Sequence, residues 1–120
     1  MNVKIAILTP EQFDAYSYQH PLHTFYQTSK YGNLQVKLGY KVYYYGFMND
    51  DNALVGATMM YTGKLYGNNY FAYAPRGFLL DYENKQLLTE ITDKFKKFLY
   101  KFLYYTCFLR LDISFISSLN

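Results

Sequence analysis

The chain predicts a mixed α/β fold (an α+β mixed sheet) of three layers, with helices on both faces of one sheet. Three observations predict it: a period-two apolar start, three apolar runs separated by short polar segments, and a long amphipathic stretch leading into a last alternating run. The element order is β-α-α-β-β-β-α-β. Short turns let the three central strands pair as an antiparallel meander. The closing strand–helix–strand unit instead needs a parallel pair joined by a right-handed crossover.

Val3, Ile5 and Ile7 alternate with Lys4 and Ala6, as in a strand with one buried face. Thr9-Pro10-Glu11-Gln12 starts the first helix: Thr9 caps, Pro10 suits the first helical position, and Gln12 completes a capping box. That helix ends by His20-Pro21, because the residue before proline avoids helical angles. Thr24 to Leu38 predicts a second helix, with Tyr31, Leu34 and Leu38 on one side and Gly39 as its stop. Strands follow over Lys41 to Met48, Ala53 to Tyr61 and Tyr70 to Ala74, with turns at Asn49-Asp50-Asp51-Asn52 and Gly67-Asn68-Asn69. Leu54 to Met60 is apolar on both faces and so belongs in the middle of the sheet.

The last helix carries the clearest period: Leu88, Ile91, Phe95, Phe98 and Phe102 step by three and four, opposite Lys94, Lys97 and Lys101. Asp81 is placed to cap it, and Glu83 favours its positive end. Cys107 to Ile113 alternates as a final strand, and Ser114 to Asn120 has no strong period. The domain therefore spans 1–113, with 114–120 as a tail expected to be cut off before a second domain.

Composition narrows the function classes. With 120 residues and 18% charged side chains, the chain is one globular domain in length. Its 16 Tyr and 10 Phe supply apolar area, and the tyrosines add polar tips suited to half-buried sheet and cleft positions. The single Cys107 excludes an internal disulfide and a cysteine-rich metal site, and His20 and His23 have no further soft ligand beside them. There is neither an apolar run of bilayer length nor the apolar region of a signal peptide, so the expected location is cytoplasmic. The net charge of +3 suits an anionic substrate without requiring nucleic acid.

One break stands out. The run Tyr70 to Ala74 stops at Pro75-Arg76-Gly77 and resumes as Phe78-Leu79-Leu80 before Asp81-Tyr82, and it holds one of only two arginines among 12 basic residues. Phe25-Tyr26-Gln27-Thr28, Lys37, Arg76-Gly77-Phe78-Leu79-Leu80-Asp81-Tyr82 and Leu111-Asp112-Ile113 occur in one order along the chain. Together they resemble the amino-terminal, GNAT-like domain of the FemABX family, peptidyltransferases that move an amino acid from aminoacyl-tRNA onto the stem peptide of a peptidoglycan precursor. Phe78 and Ile113 stand where that family usually has proline.

The resemblance implies no cofactor. It implies a lipid-linked or nucleotide-linked muropeptide as acceptor, aminoacyl-tRNA as donor in the complete enzyme, and a membrane surface only through a lipid-linked substrate. It matches Lys37 to a lysine contacting the precursor's phosphates, and Asp112 to an aspartate that takes a proton from the attacking amine. Gln27, Tyr31, Tyr73 and Arg76 are the further substrate-binding candidates. Each has a plainer alternative. Lys37 can stabilise a helix end, and Asp112 can pair with Arg110. Arg76 can tether the turn, and Gln27, Tyr31 and Tyr73 can simply pack. The lysines of the last helix are read as its wet side. The family pairs this domain with a second one, so the chain by itself is expected to be inactive. Two rival functions remain: an acetyl-CoA-dependent acetyltransferase, against which the acids at the helix start argue, and a non-catalytic module that self-associates.

Overall fold

The computed structural model describes residues 2–64, 70–75, 77–102 and 107–111. The elements are β1 (Lys4–Ile7), α1 (Pro10–Gln19), a 3-10 turn (Phe25–Gln27), α2 (Ser29–Lys37), β2 (Lys41–Met48), β3 (Leu54–Lys64), β4 (Tyr70–Ala74), β5 (Leu79–Leu80), α3 (Lys85–Phe102) and β6 (Cys107–Leu111).

Local chemistry sets most of the boundaries. Thr9 and Gln12 form the expected capping box: the Gln12 N–H donates to Thr9 Oγ1 at 3.1 Å and the Thr9 N–H to Gln12 Oε1 at 3.0 Å. Gly39, at φ +95°, ends α2 in a Schellman arrangement, with Tyr40 N–H on Gln35 O at 3.1 Å and Gly39 N–H on Val36 O at 3.0 Å.

β3 runs on to Lys64, past the expected Tyr61, β5 is a strand not expected, and two helix starts differ from expectation. The predicted second helix is two pieces, because Thr28 is extended (φ −142°, ψ 160°) and its hydroxyl accepts the Tyr31 N–H, restarting the helix as α2. Asp81 does not cap α3. Its carboxylate closes a local turn by accepting the Glu83 N–H at 3.1 Å, and Asn84 caps instead, accepting the Leu87 N–H at 3.1 Å.

The sheet runs β1-β2-β3-β4-β6, and β5 pairs separately with β3. β1 to β4 pair antiparallel with their sequential neighbours, β4 and β6 pair parallel, and β3 lies in the middle as its two apolar faces predict. The alternation of β2 and β3 feeds two cores. Tyr45, Phe47, Met60, Ala72 and Ala74 face the α3 side with Leu88, Ile91 and Phe95. Tyr44, Ala57, Met59 and Leu79 face the other way, onto Phe13 of α1. Phe95 is the hub of the first core, with ring centroids 5.4 Å from Tyr45, 5.3 Å from Phe47 and 5.2 Å from Phe78. The three-layer mixed α+β architecture is thus the one the sequence predicts, with the two-residue strand β5 added to it.

Candidate functional site

The break between β4 and β5 organises the site. Both short strands lie on the same edge of β3: β4 pairs with Tyr61 to Lys64, and β5 with Gly56 and Ala57. Met59 falls between them, fully buried, with no strand partner on that side. Gln27 fills the position. Its Oε1 accepts the Met59 N–H at 2.8 Å, and its Nε2 donates to Met59 O at 3.0 Å and to Pro75 O at 2.9 Å. Gln27 is 0% exposed and its carboxamide is committed to main chain, which is the packing alternative of the two open to it.

Tyr82 repairs the other side of the break. Its hydroxyl accepts the Phe78 N–H at 3.0 Å and donates to Phe78 O at 2.6 Å. Gly77 adopts φ +79°, which glycine reaches without steric cost, and its N–H returns to Ala74 O at 3.1 Å. Arg76 and Asp112 lie outside the described residues. Ala74 and Leu111 are paired across the parallel strands β4 and β6.

Beside the break, on the α2 side, tyrosines gather around Tyr61. Its ring centroid is 5.1 Å from Tyr40 and 5.6 Å from Tyr73, and its hydroxyl bonds to Tyr31. Tyr31 in turn packs on Tyr26 at 5.0 Å and Phe25 at 5.8 Å. The structure thus joins two candidates, Tyr31 and Tyr73, through Tyr61, which the sequence reading placed only in a strand. The signal for Tyr61 was the strand period: it shares a face with Met59 and lies in register with Tyr73. Burial, with the neighbouring tyrosines Tyr31, Tyr73 and Tyr40 adding to it, pushes the Tyr61 hydroxyl up to about 12. The cluster therefore offers ring faces and hydroxyls, suited to stacking and hydrogen bonding. Lys37 is exposed in the last turn of α2, whose end leads directly into Tyr40.

A depression of about 530 Å³ is lined by His20, Pro21 and Leu22 after α1 and by Leu80 to Glu83 before α3. Partial burial lowers the His20 pKa, and Asp81 partly opposes that. Here His20 Nδ1 accepts the Leu22 N–H at 3.0 Å. The approach to α3 is acidic and partly bonded to itself, which disfavours a diphosphate there. The Glu83, Asn84 and Leu87 amides are bonded to Asp81 Oδ1, Asp81 O and Asn84 Oδ1. Asp81 and Glu83 are both exposed there as negative charge. Ser17 and His23 lie 3.2 Å apart but do not form a nucleophile and base. The single Ser17 proton goes to Gln27 O at 2.5 Å, so His23 Nδ1 must be the donor. Among the described residues no three His, Cys, Asp or Glu side chains gather as a metal site, and no helix is long and apolar enough to cross a membrane.

Comparison with known proteins matches these features to one family. The FemAB family model covers residues 8–112. The chain is 26% identical over 99 residues to the aminoacyltransferase FemA of Staphylococcus aureus (strain MW2), an alignment covering 82% of this chain and 24% of FemA. Its fold superposes on the crystal structure of FemX with a TM-score of 0.75 at 22% identity, over 91% of this chain and 27% of that one. A Trypanosoma brucei acetyltransferase is more distant, at a TM-score of 0.49 and 8% identity over 92% of this chain and 82% of that one. The chain thus spans about a quarter of the length of FemA and FemX.

Proposed function

The chain belongs to the FemAB family, and from that premise we propose that it forms the acceptor-binding part of an aminoacyltransferase acting on a peptidoglycan precursor. The observation that carries this reading is the extent of the match. Residues 8–112 include the Gln27 segment, the Pro75–Tyr82 break and the end of β6, and in the fold the first two of these are one hydrogen-bonded unit.

The reaction asks for little covalent participation by the protein. The amine of the stem peptide attacks the ester carbonyl of aminoacyl-tRNA, the new C–N bond forms, and the ester C–O bond breaks. The tRNA ribose leaves as a hydroxyl, and the amine gives up one proton. Catalysis then consists of holding the amine unprotonated and in line, and of stabilising the developing oxyanion. In this reading Lys37 meets the precursor's phosphates as a point charge. The cluster of Tyr31, Tyr40, Tyr61 and Tyr73 stacks on a ring of the acceptor. Asp112 receives the amine proton, and Arg76 takes part in anion binding. Donor-tRNA contacts belong to parts of the longer relatives that this chain does not match, and the reading places the reaction in the cytoplasm.

Calorimetric titration with a nucleotide-linked muropeptide tests the proposal. Saturable binding is expected, with Lys37→Ala weakening it about tenfold, or about 1.4 kcal/mol. Supplied with aminoacyl-tRNA and muropeptide, the 120-residue chain is expected to give no turnover. Absence of muropeptide binding would refute the acceptor assignment, and turnover by this chain alone would refute the division of labour.

A further inference from the structure

We propose that Gln27 is a positioning residue for the aromatic cluster around Tyr61, acting as a one-residue substitute for a strand; the inference rests on the acceptor-binding reading above. A buried peptide group needs both a donor and an acceptor, and no strand supplies Met59 with either on the edge where β4 has ended and β5 has not begun, although the Thr58 hydroxyl also donates to its carbonyl at 3.3 Å. Of the neutral side chains, only a primary carboxamide presents an N–H and a C=O side by side as a neighbouring strand does. Gln27 does so at 2.8 and 3.0 Å, and its second N–H holds Pro75 O at 2.9 Å.

The main chain of Gln27 is anchored as well, its carbonyl accepting the buried Ser17 hydroxyl at 2.5 Å. Tyr26 precedes it and packs on Tyr31, while Thr28 follows and caps α2. On the far side, Pro75 lies two residues beyond Tyr73. One carboxamide therefore ties the α2 side of the cluster, Tyr26 and Tyr31, to its β4 side, Tyr73. It sets their spacing without itself reaching a ligand.

Replacement should leave every ligand-contacting group present but let the two sides part. The test pairs Gln27→Ala with added propionamide, a free primary carboxamide, and with N,N-dimethylpropionamide, which cannot donate. Melting temperature and nucleotide-linked muropeptide affinity are read at a temperature where circular dichroism shows the variant folded. Gln27→Ala is expected to lower the melting temperature and weaken binding at least tenfold. Propionamide should recover both in the variant only, and the dimethyl amide neither. A folded Gln27→Ala chain with wild-type affinity overturns the positioning role, as does propionamide acting equally on the wild type. A wild-type chain that binds no muropeptide overturns the acceptor reading itself, and the positioning role with it. Should Gln27→Ala not fold, Gln27→Asn takes its place: its carboxamide falls one carbon short, so weaker binding in a folded chain is expected and unchanged affinity overturns the proposal.

Discussion

Tyr82→Phe isolates the repair on the far side of the break, because it removes one oxygen and keeps the ring. That oxygen accepts the Phe78 N–H and donates to Phe78 O. Phe78 is 2% exposed, and its ring lies 5.2 Å from Phe95 and 5.9 Å from Phe47. Without the hydroxyl, both main-chain groups of Phe78 lose that partner. Each buried group so deprived costs roughly 1–3 kcal/mol. Tyr82 is only half-buried, so water can reach part of the gap, and the lower end of the range applies, about 2 kcal/mol for the pair of groups. For a domain of this size that corresponds to a fall in melting temperature of about 6–10 °C. Urea denaturation followed by far-UV circular dichroism measures it directly. With a slope of about 1–2 kcal/mol per molar, the midpoint should drop by about 1–2 M while the slope stays the same. A midpoint shift under about 0.3 M would mean that the hydroxyl does not hold the break. A changed slope would mean that the substitution acts on the compactness of one of the states.

The helix caps and the tyrosines give two further expectations. Asn84→Ala should lower stability by about 1 kcal/mol, and Asp81→Ala by less, since only Asn84 reaches an amide inside α3. Thermal melts of the two variants decide this, and a larger loss for Asp81→Ala would restore Asp81 as the cap. Burial pushes the Tyr44 and Tyr61 hydroxyls up from 10.0 to about 12 and raises Tyr45 as well. The folded state therefore holds protons that the unfolded chain releases near 10. This stability is fully present below that pH and is lost as pH rises through the folded values. Phenolate absorbance should show some tyrosines ionising only as the circular-dichroism signal collapses. All 16 ionising near 10 in a folded chain would contradict the burial argument.

What was legible in the sequence was what neighbouring residues decide among themselves. The Thr9–Gln12 box, the Gly39 stop and the Leu88–Phe98 stripe each depend on spacings of a few residues, and each is present in the fold. Asp81 and Asn84 are both good caps, and only the path of the chain out of β5 chooses between them. Gln27 was harder to read. A glutamine is ordinarily a surface or pocket residue, and its burial here answers a gap in β3 pairing made by Pro75, 48 residues away. Tyr61 is hard to read for a related reason: its neighbours Tyr31, Tyr40 and Tyr73 come from α2, from the turn between α2 and β2, and from β4. Yet Gln27 and Tyr82 both stand at motif positions in the sequence. The physical link is that a sheet interrupted in its interior leaves peptide groups dry and unpaired. Few side chains can stand in for a strand there, so a break of this kind confines its repair to particular residue types at particular places.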